Sequence, residues 1–266
     1  METRRIEEMY IYPVKSLRGF SVPEAKVCRM GFQLDRRWML VDEHGDFLTQ
    51  RKHPAMATLS VENGDGFLTV RDPGGNTCIV PVDTGSAQFT PVTVWNSRLD
   101  ALTFDASIDR FFSEILGLRC RMVRIPEAAV RAVSLTYGAP GDHVSFADAY
   151  PVLLTGTGSL ADLNSRLASP VGMDRFRPNI VVSTEIPFEE DSWKLIRVGD
   201  VQLRVVKPCD RCAIVTTDQL TGVRSDEPLR TLATFRKRGN GVDFGMNLIP
   251  DTEGKISVGD PVDILA

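Results

Sequence analysis

Histidine is almost missing from this chain: His44, His53 and His143 are the only three in 266 residues, and each stands alone. A structural zinc site takes four ligands, usually two closely spaced Cys or His pairs, so this scarcity argues against zinc. Cysteine is sparse as well. Of the five, Cys28, Cys78 and Cys120 are scattered among apolar neighbours, while Cys209 and Cys212 lie three positions apart. An odd and scattered set excludes a disulfide framework. The three isolated cysteines are expected to pack as small apolar side chains.

Long apolar runs are also lacking. No stretch approaches the roughly 18 residues that a membrane helix needs. The opening Met1-Glu2-Thr3-Arg4-Arg5-Ile6-Glu7-Glu8 is charged and lacks the apolar core of a secretory signal. The expectation is a cytoplasmic protein with no membrane partner. Positive charge is not in excess either: the net charge is −4 and the pI about 5.5, giving no basis for general nucleic-acid binding.

What is present is β-structure. Met9–Val14, Arg37–Asp42, Phe47–Arg51, Ala57–Val61, Phe67–Arg71, Cys78–Val82, Val92–Trp95 and Ala101–Phe104 are short β-branched and aromatic runs. Turn clusters such as Glu62-Asn63-Gly64-Asp65-Gly66 and Asp72-Pro73-Gly74-Gly75-Asn76 separate them. Evenly spaced hairpins predict a barrel or sandwich. The spacing of Ile108, Phe111, Phe112, Ile115 and Leu116, closed by Gly117, predicts a helix over 107–116 and a domain boundary nearby. Further strands are expected at 151–155, 180–182, 247–250 and 256–265. Helices are expected behind Ser159, with Asp162 at capping-box spacing, and after Pro228. Arg236-Lys237-Arg238-Gly239-Asn240-Gly241 reads as a solvated helix end. The fold class is mainly β with a few helices (α+β).

The chemistry gathers at Lys207-Pro208-Cys209-Asp210-Arg211-Cys212, entered from the alternating run 201–205 and left through Ile214-Val215-Thr216-Thr217. This reads as strand, tight turn, strand, with Lys207 and Arg211 favouring a thiolate. A dithiol redox motif would sit at a helix N-terminus, which an exit into a strand disfavours. A thiolate binding a soft metal or carrying sulfur remains open, as does a pair of packed cysteines. Two anion-binding signals stand elsewhere. Gly156-Thr157-Gly158-Ser159 joins a strand to a helix N-terminus, and Arg175-Phe176-Arg177-Pro178-Asn179 offers forked donors.

Lys207-Pro208-Cys209-x-Arg211-Cys212 followed by Thr216-Thr217-Asp218 and Thr221-Gly222 resembles the signature of the MOSC family. Matching motifs occur in order along nearly the whole chain. They include Tyr12-Pro13-Val14-Lys15-Ser16, Asp35-Arg36-Arg37-Trp38, Thr49-Gln50-Arg51, Phe176-Arg177-Pro178-Asn179, Phe244-Gly245-x-Asn247 and Val258-Gly259-Asp260. Within the family the resemblance runs to the amidoxime-reducing component and to bacterial reductases of N-hydroxylated compounds. It implies a MOSC N-terminal β-barrel domain over 1–115, packed on a C-terminal MOSC β-barrel over 116–266 that binds the molybdenum cofactor (Mo-pyranopterin).

By that resemblance Cys212 is the metal ligand and catalytic residue. Lys15, Ser16, Arg36, Arg177, Asn179, Asp210, Arg211 and Cys212 are the cofactor-binding set, and Cys209 is a supporting residue. The implied function is an oxidoreductase that reduces the N–O bond of a small N-hydroxylated substrate. No cysteine follows Cys212 before the chain stops at Ala266, so electrons are expected from a separate donor protein of iron–sulfur, haem or flavin type. The alternatives are a cofactor or sulfur carrier without turnover, and a dithiol redox protein. A fused pyridoxal-phosphate sulfurase is disfavoured, because no aminotransferase-like domain fits this length.

Overall fold

The computed structural model describes residues 4–85 and 88–266; the first three residues of the charged opening stretch lie outside them. Alternation along Val201-Gln202-Leu203-Arg204-Val205 buries Val201, Leu203 and Val205 on one face, as period-two patterning requires. The strand Val201–Asp210 pairs antiparallel with Leu195–Val198 on one side and Gly241–Pro250 on the other. From this centre the largest sheet extends to Val262–Ile264 at one end. At the other it continues through Val152–Gly156, Ile180–Val182 and Ile6–Ile11 to Phe20–Ser21. Only Val152–Gly156 and Ile180–Val182 run parallel to each other within it.

The two ends of this sheet meet. The Ile6 amide donates to Asp260 O at 3.0 Å and the Val262 amide donates to Arg4 O at 2.9 Å. The sheet thereby curls around Ile6, Met9, Leu154, Val182, Leu203 and Leu248, and its edge groups find partners. The strand that begins the chain thus lies within the sheet built by residues beyond 150. Glu24–Cys28 likewise pairs with Gly254–Ser257 near the other terminus.

Residues between these strands build a second β-layered core. Trp38–Asp42, Cys120–Arg124, Ser97–Thr103 and Phe89–Val94 form a four-stranded antiparallel sheet. Ser60–Asn63, Phe67–Arg71 and Thr77–Pro81 form a three-stranded meander. Helix α1 (Ala106–Leu116) seats Ile108 and Phe112 against Trp38, Leu40, Leu68 and Val80. Asp105 caps it by accepting from the Ser107 amide at 2.9 Å, and Gly117 ends it at φ 66°. Among the described residues no helix is long and apolar enough to cross a membrane.

Several local expectations are corrected. Phe47–Arg51 is not a strand: the Thr49 carbonyl accepts from the Lys52 and His53 amides, turning the chain. Pro54–Thr58 is a 3₁₀ turn, so the strand expected over 57–61 starts only at Ser60. Ile214–Thr217 is not a strand either. Ala213–Thr216 forms a 3₁₀ turn in which the Thr216 hydroxyl donates to Ala213 O, a local bond that competes with sheet pairing. Lys237–Arg238 is no helix end but pairs back onto Gly241–Val242 in a hairpin, while Arg236 turns inward to Asp191. Helix α2 (Thr157–Ser165) starts before Ser159, which is buried inside it rather than capping it. Helix α3 (Leu229–Ala233) follows Pro228 as expected, although it is short.

Candidate functional site

All eight residues expected around a cofactor line one cleft. Lys15, Ser16, Arg36, Arg177, Asn179, Asp210, Arg211 and Cys212 share it with Asp148, Tyr150, Phe176, Cys209 and Asn247. The cleft holds about 800 Å³ free of atoms, its open mouth included. Lys15 and Ser16 follow the first strand, and Arg36 immediately precedes the strand beginning at Trp38. Arg177 and Asn179 lead into Ile180–Val182, and Asp210–Cys212 leave the end of Val201–Asp210. The cleft therefore lies where loops of both cores converge.

Backbone geometry marks the same place. Six non-glycine residues among those described have positive φ, and Ser16 (67°), Arg36 (48°) and Arg177 (55°) are three of them. Such conformations cost energy for L-residues and persist only where surrounding contacts hold them, most often at functional sites. Here the holding contacts are visible. The Arg36 amide donates to Tyr12 O at 2.8 Å, and its guanidinium reaches Asp35, Asn179 Oδ1 and Arg177 O. The Arg177 guanidinium donates to Leu17 O at 2.7 Å and to Gln219 Oε1 at 3.3 Å. Gln219 in turn exchanges hydrogen bonds with Gln50, whose side chain donates to Ser16 O.

Asn179 is therefore a brace: Oδ1 accepts from Arg36 and from the Leu153 amide, and Nδ2 donates to Tyr10 O. Asp210 is exposed at the cleft and accepts from the Val242 amide at 2.9 Å.

The cations face each other closely. Arg36 and Arg177 both lie 4.3 Å from the centroid of the Tyr12 ring. Burial, then the neighbouring Arg36 charge, pulls the Arg177 pKa down to about 10. Burial likewise lowers Lys15, against the opposing pull of Asp148. Lys15 donates to Phe146 O at 2.8 Å and pairs with Asp148. Enclosure by its neighbours opposes the Asp148 charge, but Lys15, Arg51 and the Trp95 indole outweigh it and hold this carboxyl well below the usual carboxylate range.

The two thiols differ. Cys209 Sγ accepts from Arg211 at 3.0 Å, yet burial pushes its pKa up despite that guanidinium. Cys212 Sγ instead faces Arg51, whose guanidinium donates to it at 3.6 Å and also reaches Asp148. Of the two flanking cations read from the motif, Arg211 favours the thiolate of Cys209 as expected, whereas Lys207 lies over the Tyr137 ring instead. Arg51 and Asp148 were absent from the expected set. Arg51 had a signal, the Thr49-Gln50-Arg51 motif; Asp148 sits in a loop with none.

The second anion signal resolves differently. At the α2 N-terminus the Gly156 amide donates to Glu190 Oε1 at 3.1 Å and the Gly158 amide to Thr184 Oγ1 at 2.9 Å. A Cβ on Gly156 would stand 2.6 Å from that hydroxyl and 2.8 Å from Glu190 Oε2. The chain's own carboxylate fills the position a phosphate would take.

Four cations and two carboxylates line the cleft, and Arg211 Nε is buried there without a partner. Such a surplus suits an anionic group. Among the described residues no three His, Cys, Asp or Glu side chains are placed to hold a metal ion. A metal here would need most of its ligands from a cofactor, with one thiolate from the protein.

The chain is similar to known proteins along nearly its whole length. The MOSC N-terminal beta barrel domain matches residues 3–119 and the MOSC domain matches residues 141–263. Mitochondrial amidoxime-reducing component 1 from Homo sapiens is 32% identical, covering 98% of this chain and 82% of that protein. Molybdenum cofactor sulfurase from Oryza sativa subsp. japonica is 31% identical over 91% of this chain, which spans only 32% of that protein. The solved structure of the YUAD protein from Bacillus subtilis, 12% identical, covers 98% of this chain and 94% of its own with a TM-score of 0.47.

Proposed function

The chain belongs to the MOSC family, with both a MOSC N-terminal and a MOSC domain, and from that premise we propose that it is a molybdenum-cofactor-dependent oxidoreductase reducing N-hydroxylated compounds. The observation that carries the proposal is the meeting of the Cys212 thiol with Lys15, Arg36, Arg177 and Arg211 in one cleft. Left-handed backbone at Ser16, Arg36 and Arg177 sets that cleft. A catalogue of ordinary surface charges would not be built at that conformational cost.

The residues fit the group. Lys15, Arg36, Arg177 and Arg211 would balance its phosphate and pterin charge, with the Ser16 hydroxyl and the Asp210 N–H as further donors. Asn179 would act by bracing Arg36. Cys212 would be the one protein ligand to the metal, a thiolate suited to a soft centre that brings its other ligands with it. When bound, the cofactor supplies a two-electron redox centre able to take up oxygen. The overall change is R–NHOH plus two electrons and two protons giving R–NH₂ and water. The electrons come from a separate donor protein of iron–sulfur, haem or flavin type. Lys15 donates from Nζ to Asp148 and to Phe146 O, and Phe176 and Val215 give the cleft an apolar wall.

Molybdenum analysis of protein made in a cofactor-producing host tests this. About one metal per chain is expected, lost in Cys212→Ala and largely kept in Cys209→Ala. Reduction of benzamidoxime with a chemical reductant should follow the metal content. A carrier without turnover is the second reading, favoured by the match to a molybdenum cofactor sulfurase; full metal loading with no reduction of any N–O compound would select it. Metal-free protein with a reversible Cys209–Cys212 disulfide would instead select the dithiol reading.

A further inference from the structure

Trp95 stands beside this cleft, bonded to Asp148 of its lining. It occupies the tip of the hairpin joining Phe89–Val94 to Ser97–Thr103 and adopts φ 54°, left-handed for a bulky residue. The residue is 47% exposed, whereas Trp38 and Trp193 are 0% and 3% exposed. Exposure of a large aromatic side chain on a strained turn confers no folding advantage by itself, yet several contacts fix this one. The indole Nε1–H donates to Asp148 Oδ1 at 3.2 Å, Phe47 packs against the ring at 5.1 Å between centroids, and the Arg51 guanidinium lies 4.6 Å from its centroid. That same guanidinium is the group donating to Cys212 Sγ. One side chain therefore separates the indole from the proposed metal ligand.

We propose that Trp95, held by Asp148 and Arg51, is a substrate subsite that stacks a flat, uncharged aromatic or heteroaromatic ring bearing the N-hydroxylated group. The inference rests on the N–O reductase reading and names the substrate class for it. Stacking on a fixed indole is favourable for any π-face and loses little entropy when the indole is already immobilised. A cationic ring is disfavoured, because the Arg51 guanidinium lies over the indole and Lys15 over the neighbouring Phe47 ring. An N-hydroxyamidine is neutral near pH 7, whereas the amidine it yields is a cation; the subsite thus holds substrate better than product.

The test uses benzamidoxime and acetamidoxime, which share the reacting group and differ in the ring. In the full chain, Trp95 is the exposed indole available to a ligand, so benzamidoxime should quench tryptophan fluorescence saturably, and Trp95→Phe should remove that change. Acetamidoxime should not produce it. In the metal-loaded enzyme, Trp95→Ala should raise KM for benzamidoxime about tenfold more than for acetamidoxime, in line with the worth of one stacked ring. Trp95→Phe, which keeps a ring, should recover most of that selectivity. Absent or non-saturable quenching, or equal KM changes for both probes, overturns the subsite. Saturable quenching in a protein that reduces neither probe supports the ring site and overturns the reductase reading instead, so the two failures are distinct.

Discussion

Glu190 Oε1 accepts a hydrogen bond from Ser159 Oγ at 2.7 Å, inside the fold and across 31 positions of sequence. The same oxygen takes the Gly156 amide, while Oε2 is buried without a partner. Burial raises the pKa of this carboxyl above its ordinary value of 4.5, although Ser159 and the amides oppose the rise. A carboxyl whose pKa is raised by folding costs stability when ionised. That cost is full above the folded pKa and gone below the unfolded one.

Glu190→Gln should therefore be tolerated near pH 7, since it keeps an acceptor for Ser159 and Gly156 and removes the buried charge. The wild type should gain on it as the pH falls toward 4.5. Glu190→Ala should cost about 2–4 kcal/mol, because it orphans buried donors and leaves a cavity. Denaturant unfolding at pH 5 and pH 8 reads both. If the glutamine variant is as unstable as the alanine one at pH 8, the account of Glu190 fails.

The aromatic wall beside the cleft gives a second expectation. Phe176 and Phe244 stack with centroids 4.0 Å apart, both fully buried, and Phe176 O accepts from Arg211. Phe244→Ala should lower stability by about 3–5 kcal/mol, the usual cost of emptying a large core site. Metal retention should fall as well, since Phe176 also positions Arg211. A variant that loses stability while binding metal as tightly as before would separate the packing from the site.

The sheet closure predicts how fragments behave. Ile6–Ile11 lies between Ile180–Val182 and Phe20–Ser21, and Glu24–Cys28 pairs with Gly254–Ser257. A fragment of residues 116–266 lacks these strands and exposes unpaired edges together with half of the Ile6, Met9 and Val27 core. It should fail to fold alone, as judged by amide dispersion in NMR spectra, and should fold when residues 1–35 are supplied as a separate chain. Cooperative unfolding of the isolated fragment would refute the dependence.

The boundary case shows where sequence reading runs out. Alternation and turn residues locate Phe67–Arg71 and Ile180–Val182 because local pattern and tertiary role agree there. Phe47–Arg51 and Ile214–Thr217 have strand composition, but the Lys52 and His53 amides donating to Thr49 O, and the Thr216 hydroxyl donating to Ala213 O, turn their backbones instead. The short strand Glu24–Cys28 exists only because Gly254–Ser257 lies beside it, which local pattern cannot register. At the candidate site, the motifs pointed to Lys15, Arg36, Arg177 and Cys212, which share one cleft. Asp148 matters through its place between Lys15, Arg51 and Trp95, and that place comes from folding alone.

The last prediction concerns the paired guanidiniums. Arg36 and Arg177 share the Tyr12 ring, and their mutual repulsion together with burial is what draws Arg177 down to about 10. A bound anion relieves that repulsion, so metal-free protein should be stabilised by inorganic pyrophosphate. The gain should reach about 2.7 kcal/mol at a hundredfold excess over Kd, read as a rise in Tm. Sodium chloride at matched ionic strength should give much less, because screening does not supply bidentate contacts. Arg36→Ala should abolish most of the pyrophosphate effect by removing one of the two forks. The Tm shift of Lys255→Ala, at the exposed position of the Gly254–Ser257 strand, should match the wild type. Equal shifts from pyrophosphate and chloride would mean that the cations of the cleft do not act together on an anion.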